Sequence, residues 1–259
     1  MVSMPVLVLE DIDKSFGGLK AVSGFNMSID QGEIVGLIGP NGAGKTTVFN
    51  MISGIYKPTA GKISFLEEDI TGKSPYVVCQ KGIARTFQNI RLFRENTVID
   101  NVMTIFHPRV GYNLADAVFR TPRFKRREEE ITSQAMELLV ALGLEDRAYD
   151  KAMNLPYGAQ RRLEIARALA GRPKLLLLDE PAAGMNPAEV VKMVELIKYV
   201  KDKFSLTVLL IEHQMGMVMK LCERLVVLDF GQIIAAGLPA EIRSNPVVLE
   251  AYLGKGAAV

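Results

Sequence analysis

The spacing of hydrophobic positions changes along the chain and divides it into three stretches. Residues 5–70 alternate β-branched runs with turn signals such as FGG and QGE, a pattern that predicts short strands. Residues from about 97 to 155 lack long β-branched runs and are predicted to form a separate helical subdomain. Within that subdomain EEITSQAMELLVALG places five apolar side chains near one helix face, namely Ile131, Ala135, Leu138, Leu139 and Leu142.

The third stretch returns to alternating strands and helices. Strands are predicted at KLLLLDE, LTVLLIEH and ERLVVLDFG, and a helix over AEVVKMVELIKYVKDKF, which together indicate an α/β fold. Asn186 is placed to cap that helix, Pro187 suits its first turn, and Glu189 stands at the capping-box position. The buried face of the helix is expected to carry Val190, Met193, Val194, Ile197 and Val200.

A glycine-rich loop, GPNGAGKTT, lies between a strand-like run, GEIVGLIG, and a helix-like run, TTVFNMISG. Glycines let the backbone curl with its N–H groups inward, which builds a concave site for phosphate oxygens at a helix N-terminus. Lys45 is placed to reach the β- and γ-phosphates, and the Thr46 hydroxyl to ligate magnesium. In this context the pattern predicts a nucleotide site and not a simple turn. The candidate nucleotide-binding residues are Gly39, Pro40, Asn41, Gly42, Ala43, Gly44, Lys45, Thr46 and Thr47.

Two carboxylates directly follow an apolar strand. Residues 175–178 are four leucines, and Asp179 and Glu180 come next. A buried strand brings such side chains to the carboxyl edge of a parallel sheet, where ligands of open α/β folds bind. Asp179 is expected to hold the magnesium shell and Glu180 to polarise a water for attack on the γ-phosphate. A strand followed by two acids is common, so this interpretation depends on its pairing with the phosphate loop.

Of the two histidines, His213 closes the strand LTVLLIEH, which follows the Asp179 strand along the chain. It is therefore expected to arrive at the same sheet edge. A lone histidine at a strand end more often packs or caps than catalyses, and only its position favours a role in the nucleotide site. His107, in the segment FHPRVGY, has no such context and is assigned no role.

Charge and composition exclude several classes of function. The 259 residues carry a formal net charge of +2, which argues against broad capture of nucleic acid. The basic run RFKRREEE is mixed, and it places Lys125 with Glu129 and Arg126 with Glu130 at i,i+4 spacing on a solvated helix. Two cysteines without metal-ligand spacing fit a reducing cytoplasm, and Cys222 is expected in the core.

No segment is predicted to target or span a membrane. The opening MVSMPVLVLED has no basic n-region, and Glu10 and Asp11 interrupt its apolar run, so it is interpreted as a first strand. No window approaches the roughly 18 uninterrupted apolar residues of a membrane helix. One folded domain is expected over residues 5–253, followed by a flexible tail, GKGAAV, at 254–259.

The order of these motifs resembles the ATP-binding cassette (ABC) ATPases over almost the whole chain: a phosphate loop, a glutamine in RTFQNIRLF, a signature segment, LLLLDEP and then a histidine. The resemblance implies a P-loop α/β fold with an antiparallel β subdomain and a helical subdomain. It implies that Phe16 stacks on adenine and that Gln88 senses magnesium and links to membrane subunits. It also implies that Asp179 accompanies magnesium, Glu180 is the catalytic base and His213 contacts the γ-phosphate.

In such ATPases two cassettes enclose two ATP molecules head to tail, so each site borrows a signature segment from the other chain. The family pattern is LSGGQ, whereas residues 155–159 here read LPYGA, followed by Gln160. Pro156 supplies neither the serine hydroxyl nor a backbone N–H, which removes two donors. Tyr157, Gly158 and Gln160 open a helix whose N–H groups and dipole still suit a phosphate.

The departures from the family pattern resemble one branch of it. AAGMN places Asn186 where an aspartate is usual. The strings RTFQNIRLFRENTVIDNV, LLLLDEPAAGMNPAE and NPVVLEAYLG, with the extended segment 103–130, look like the ATP-binding subunits of branched-chain amino acid importers. The resemblance implies ATP and Mg²⁺ as cofactors and a second cassette, identical or paralogous. It further implies integral membrane permeases, indirectly a periplasmic solute-binding protein, and a cytoplasmic location on the inner face of the membrane.

Other functions are also compatible with the sequence. Related cassettes energise import of other small polar solutes or export of lipopolysaccharide. Soluble ABC ATPases of DNA repair or translation usually carry tandem cassettes or a long coiled-coil insertion, and neither occurs here. An ATP-responsive regulator without turnover is disfavoured by the presence of Glu180 and His213.

Overall fold

A computed structural model of the chain describes residues 5–106 and 111–253. His107 and the tail at 254–259 lie outside the described residues. The chain divides into two compact units, the first formed by Met1–Gln88 with Lys174–Val259 and the second by Asn89–Pro173.

The first unit contains two sheets. Its strands are β1 (Pro5–Phe16), β2 (Leu19–Asp30), β3 (Ile34–Ile38), β4 (Ala60–Phe65), β5 (Glu68–Asp69), β6 (Ile83–Arg85), β7 (Leu175–Asp179), β8 (Thr207–Ile211), β9 (Arg224–Asp229) and β10 (Gln232–Gly237). Four of them form an antiparallel sheet in the order β2-β1-β4-β5. The other six form a sheet in the order β10-β9-β3-β8-β7-β6, which is parallel except where β10 pairs with β9. The predicted α/β fold with an antiparallel β subdomain is confirmed.

Helices occur in both units. They are α1 (Lys45–Ile52), α2 (Pro75–Lys81), α3 (Val98–Met103), α4 (Leu114–Val118), α5 (Pro122–Ala141), α6 (Tyr157–Ala170), α7 (Pro187–Phe204), α8 (Met215–Leu221), α9 (Pro239–Arg243) and α10 (Pro246–Leu253), with short 3₁₀ turns at Glu145–Arg147 and Ala152–Asn154. None of these helices combines the length and apolar character that crossing a bilayer requires, as far as the described residues extend.

The strands β3, β7 and β8 form the centre of the parallel sheet, and every one of their residues is buried. Their sequences are nearly continuous aliphatic runs, as expected for parallel strands covered on both faces. Because these strands run in the same direction, the residues that follow them meet at one edge of the sheet, here called the carboxyl edge. Gly39 follows β3, Asp179 ends β7 and Glu212 follows β8.

The opposite edge, here called the amino edge, carries polar groups that satisfy one another. Arg224, the first residue of β9, donates from Nε to Oε1 of Glu33 at 2.7 Å and from Nη2 to Oε2 of Glu33 at 3.0 Å. The Gly32 N–H donates to Oγ1 of Thr207 at 3.0 Å. These contacts join the starts of neighbouring strands.

The helix α7 forms as its sequence predicts. Oδ1 of Asn186 accepts from the Glu189 N–H at 3.0 Å, and Oε2 of Glu189 accepts from the Asn186 N–H at 2.9 Å, which completes the capping box. Pro187 begins the helix. The predicted apolar face is buried, and it consists of Val190, Met193, Val194, Ile197 and Val200.

The second unit is helical in its described part. The predicted apolar face of α5 is buried, through Ile131, Ala135, Leu138, Leu139 and Leu142. The unit extends past residue 155 to Pro173, because α6 packs against α3 and α5.

Two smaller expectations have different outcomes. In the mixed run on α5 an ion pair joins Nη1 of Arg127 to Oε2 of Glu130 at 2.9 Å. No Lys125–Glu129 or Arg126–Glu130 ion pair occurs among the described residues; Glu130 pairs with the residue three positions before it instead. Cys222 is buried as expected, and burial raises the pKa of its thiol to about 12.

Candidate active site

The phosphate loop connects β3 to α1 and requires glycine at two positions. Gly39 has φ +148°, and a Cβ there would lie 1.9 Å from the Leu228 carbonyl oxygen. Gly44, the residue before α1, has φ +105°, and its Cβ would lie 2.7 Å from the Ala21 carbonyl oxygen. Any side chain would push the loop away from the strands that support it. Gly39 and Gly44 are therefore required by packing as well as by backbone conformation, whereas a Cβ at Gly42 would meet open space.

Lys45 places its ammonium inside this loop. Its Nζ lies 2.8 Å from the Gly39 carbonyl oxygen and 2.7 Å from the Pro40 carbonyl oxygen, and the residue is only 5% exposed. Burial lowers the pKa of Lys45, and the charge of Glu180 opposes this shift. Within the described residues no carboxylate lies within ion-pair distance of Nζ. A buried cation that faces a loop of this shape suits an anionic phosphate group.

Glu180 lies one residue beyond β7 with φ +50°, a left-handed conformation that is unusual for a non-glycine residue. Its Oε2 accepts from Nε2 of Gln88 at 2.9 Å, and its Oε1 lies 3.1 Å from Nε2 of His213. Glu180 is half-buried, whereas Gln88 and His213 are exposed. The structure therefore brings together three residues that the sequence placed in one site from separate motifs.

Asp179 and Thr46 are two of the residues for which a magnesium role was predicted; Asp179 ends β7, and Thr46 lies in α1, which follows β3. Asp179 is only 4% exposed, and Thr46 occupies an exposed position in the first turn of α1. A hydroxyl, a carboxylate and the Gln88 amide are the oxygen donors that Mg²⁺ prefers. In residues 5–106 and 111–253 no group of three His, Cys, Asp or Glu side chains could hold a metal on its own. The donor set thus fits an ion that takes most of its ligands from nucleotide oxygens and water.

Arg85, at the end of β6, was not identified from the sequence. Its Nη2 donates to Oδ2 of Asp179 at 2.8 Å, and the two side chains are 7% and 6% exposed. Nη1 of Arg85 donates to Oδ1 of Asn50 at 2.7 Å and to Oγ of Ser53 at 3.0 Å. The only sequence signal was a charged residue in an otherwise apolar run, GIAR.

Glu212 was also not identified. This buried carboxylate accepts from three backbone N–H groups: Oε1 from Ala182 at 3.0 Å, and Oε2 from His213 at 2.6 Å and Gln214 at 3.1 Å. It therefore joins the turn after Glu180 to the turn that carries His213. An acid directly after the aliphatic run TVLLI was the available signal, and its proximity to His213 obscured it.

Phe16 ends β1 and is 42% exposed. Its ring contacts the ring of Tyr56 edge to face, with centroids 5.2 Å apart. Nζ of Lys14 lies 4.9 Å from the Phe16 ring centroid. The aromatic side chain is held in place by these neighbours and leaves part of its surface accessible for stacking.

The signature residues belong to the second unit, where they open α6. Tyr157 is the first residue of α6, Gly158 the second, and Pro156 precedes them as the N-cap. The Tyr157 hydroxyl accepts from Nη2 of Arg161 at 3.0 Å, and Nε2 of Gln160 donates to the Leu155 carbonyl oxygen at 2.9 Å. Tyr157 is 44% exposed. The start of this helix therefore has an ordered conformation and an accessible aromatic residue.

The loop, the buried ammonium and the paired carboxylates at the carboxyl edge define a P-loop nucleotide-binding protein. Comparison with known families narrows this class. A family described as ABC transporter matches residues 22–183, and one described as branched-chain amino acid ATP-binding cassette transporter matches residues 232–258. The chain belongs to the ABC transporter family. It is one of the ATP-binding subunits of that family, which hydrolyse ATP.

Individual relatives agree with this assignment. The high-affinity branched-chain amino acid transport ATP-binding protein BraF of Pseudomonas aeruginosa is 44% identical over 253 residues, which cover 98% of this chain and 99% of that protein. A crystal structure of an ATP-binding cassette of an ABC transporter in its ADP conformation superposes with a TM-score of 0.85 at 35% identity, covering 98% of this chain and 100% of that one. A dimeric cassette bound to ADP and Pi superposes with a TM-score of 0.75 at 26% identity, covering 90% of this chain and 98% of that one.

Proposed function

We propose that this chain hydrolyses Mg-ATP to energise import of branched-chain amino acids. The observation that carries the hydrolytic part is Glu180, whose two carboxylate oxygens contact Gln88 and His213 beside the phosphate loop. The likeness to BraF over almost the whole chain, and the family match at residues 232–258, support the choice of substrate.

Each residue of the site has a separate task in this proposal. Lys45 exchanges its two backbone carbonyl partners for phosphate oxygens, and its charge stabilises the charge that develops during phosphoryl transfer. Thr46, Gln88 and Asp179 would hold magnesium, which neutralises phosphate charge when bound. Oε2 of Glu180 accepts a hydrogen bond from Gln88, Oε1 lies 3.1 Å from Nε2 of His213, and the carboxylate can orient and polarise an attacking water. His213 and Gln88 fix the direction in which that carboxylate points.

The chain is proposed to act with membrane-embedded subunits. In this proposal the path for the solute is supplied by other chains, as is expected for an ATP-binding subunit of a transporter family. Integral permease subunits, a periplasmic solute-binding protein and a location on the cytoplasmic face of the membrane follow from this proposal. Nucleic acid is not among the proposed partners, since the net charge is only +2.

The decisive experiment is transport in liposomes. The chain would be purified together with the membrane subunits encoded beside its gene, reconstituted, and supplied with ATP and radiolabelled leucine, isoleucine or valine. We expect ATP-dependent uptake that is lost when Glu180→Gln replaces the wild type. ATP hydrolysis stimulated only by a different solute would contradict the proposed substrate, while leaving the ATPase assignment in place.

A second cassette is proposed to complete the site, with Tyr157, Gly158 and Gln160 facing the nucleotide of the partner. Gly158→Asp should leave the chain's own ATP affinity nearly unchanged and abolish ATP-dependent pairing, because a carboxylate would face a γ-phosphate across a close interface. An aspartate is compatible with the first turn of α6, so folding should persist. Nucleotide affinity and dimer formation would be measured in a Glu180→Gln background, with Gly158→Ala as the uncharged control. Dimerisation of the Asp variant as strong as that of the Ala variant would exclude this contact.

A further inference from the structure

A buried arginine stands behind the carboxylate proposed for magnesium. The Arg85 and Asp179 side chains are 7% and 6% exposed, and their ion pair is 2.8 Å long. A charge in such surroundings is costly unless it is paired and hydrogen-bonded. Nη2 of Arg85 satisfies Oδ2 of Asp179, whereas Nε of Arg85 has no hydrogen-bond partner in the described residues. Burying the guanidinium with an unsatisfied Nε is costly, which suggests a role for Arg85 beyond packing.

Arg85 joins three elements of the nucleotide site. Arg85 ends β6, three residues before Gln88. Its Nη2 contacts Asp179 at the end of β7. Its Nη1 contacts Asn50 of α1 and the adjoining Ser53. The planar fork of an arginine can make these bonds in fixed directions, which a lysine ammonium cannot do. One guanidinium thus ties the glutamine segment and the acidic strand to the helix that begins at the phosphate loop.

The guanidinium itself is held in place by aromatic rings. Its central carbon lies 5.5 Å from the ring centroid of Phe49 and 5.2 Å from that of Phe87. Such cation–π contacts favour the charged group and restrict its orientation. A fixed guanidinium can in turn fix the carboxylate that it binds.

Asp179 is restrained from its backbone as well. Its N–H donates to Oγ1 of Thr86 at 3.3 Å, and the Thr86 N–H donates to the Leu177 carbonyl oxygen at 3.0 Å. With the backbone bonded to Thr86 and Oδ2 bonded to Arg85, rotation of the carboxylate is restricted. The Asp179 carboxylate is thus held in a defined orientation by groups of the chain itself.

We propose that Arg85 is a positioning residue that orients Asp179 for the metal ion of the bound nucleotide. This inference rests on the proposed magnesium role of Asp179. Arg85 acts through Asp179 and contacts neither phosphate nor metal in this proposal. Residues that orient a metal ligand in this way typically contribute about 10- to 100-fold to metal affinity.

The test measures metal binding directly, without turnover. Mn²⁺ affinity for the protein–ADP complex would be determined by electron paramagnetic resonance, and ADP affinity would be determined separately in EDTA. We expect Arg85→Met to weaken Mn²⁺ binding by about 10-fold or more. ADP affinity in EDTA should stay close to that of the wild type, because the phosphate loop and Lys45 are intact. The Mn²⁺ affinity of Arg85→Lys should lie between those of the wild type and Arg85→Met, because lysine keeps the positive charge but lacks the planar fork of the guanidinium.

Two further variants separate the possible failures. Arg224→Met removes another arginine–carboxylate contact of the first unit, at the amino edge, and should leave Mn²⁺ affinity unchanged. Asp179→Asn should weaken Mn²⁺ binding, and adding Arg85→Met to it should cause no further loss. Unchanged Mn²⁺ affinity in Asp179→Asn would overturn the proposed metal role of Asp179 and, with it, this inference.

Wild-type Mn²⁺ affinity in a folded Arg85→Met protein, alongside a weakened Asp179→Asn protein, would overturn the inference alone. It would leave Arg85 as a purely structural residue. Should Arg85→Met fail to fold, Arg85→Lys decides in its place, and wild-type Mn²⁺ affinity in that variant has the same meaning.

Discussion

The two edges of the parallel sheet are built from the same strands, yet they differ in how their charged side chains are compensated. At the amino edge Arg224 and Glu33 form a bidentate ion pair, with N–O distances of 2.7 and 3.0 Å. Hydrogen bonding to Glu33 raises the pKa of Arg224. At the carboxyl edge the ammonium of Lys45 is buried against carbonyl oxygens, and burial lowers its pKa. The amino edge pairs its charges, whereas the carboxyl edge holds, besides the Arg85–Asp179 ion pair, an ammonium whose hydrogen-bond partners in the described residues are carbonyl oxygens and which a phosphate can neutralise.

Positive backbone φ angles occur near both edges, so the difference between the edges lies in their charges. Gly39 and Glu180 at the carboxyl edge have φ of +148° and +50°, and Gly32 and Ser205 near the amino edge have φ of +79° and +52°. Perturbed charges, in contrast, are concentrated at functional sites because binding and catalysis need preorganised groups. Substitutions at the two edges should therefore affect different properties.

The largest effect is expected for Gly39→Ala. The new Cβ would lie 1.9 Å from the Leu228 carbonyl oxygen, at a φ of +148°. Displacing the loop should cost about 3 kcal/mol or more of unfolding free energy and abolish ATP binding. Gly216→Ala is the matched control, since its Cβ meets open space within α8 and should stabilise the helix by up to about 1 kcal/mol. Urea unfolding of both variants checks this, and equal stabilities would show that the loop tolerates a side chain.

Glu180→Gln is expected to have the next largest effect, on rate and not on binding. The amide removes the water-polarising carboxylate and leaves Lys45 and the loop unchanged, so hydrolysis should slow by about 100-fold or more. Glu33→Gln, the same chemical change at the amino edge, should hydrolyse ATP at close to the wild-type rate. Single-turnover rates at saturating Mg-ATP distinguish the two. A near wild-type rate for Glu180→Gln would remove Glu180 from the role of base.

Phe16→Ala tests whether recognition of ATP extends from the carboxyl edge of the parallel sheet to the antiparallel sheet. Loss of the ring should weaken ATP binding by about 1 to 3 kcal/mol, by analogy with stacking of bases on aromatic side chains. Leu19→Ala, which truncates an exposed apolar residue at the start of the next strand, is the control. Titration with a fluorescent ATP analogue gives both affinities. Equal affinities in two folded variants would mean that Phe16 only packs against Tyr56.

The smallest effect is expected at the amino edge. Arg224→Met breaks the pair with Glu33, and because the arginine side chain is 31% exposed, solvent screening should keep the loss of unfolding free energy to about 1 kcal/mol or less. ATP hydrolysis should be unchanged. A strong loss of activity in a stably folded Arg224→Met protein would contradict the division between the two edges.

Features with a local sequence signal were predictable. The capping box of Asn186 and Glu189 lies within four residues, and the buried face of α7 repeats with the helical period. The phosphate loop and the strand that ends at Asp179 are likewise continuous in the chain. Local propensity and spacing determine such elements, so they can be deduced before any contact is known.

Features that depend on distant pairing were not predictable. Arg85 and Asp179 are 94 positions apart, and β6 is too short to show a period. The link from Glu212 to Ala182 spans 30 positions. The extent of the second unit likewise depends on α6 packing against α3 and α5. These features follow from the topology, which spacing alone does not specify.

The hydrogen bonds of Glu212 restrict which amino acids can occupy its position. Both of its oxygens accept hydrogen bonds from backbone N–H groups, those of Ala182, His213 and Gln214. Glutamine would turn one acceptor into a donor pointing at another donor, and aspartate would be one methylene too short to span the two turns. Displacing either turn alone would break one of these hydrogen bonds and leave a buried carboxylate oxygen unsatisfied. We therefore expect the turns after β7 and β8 to move together.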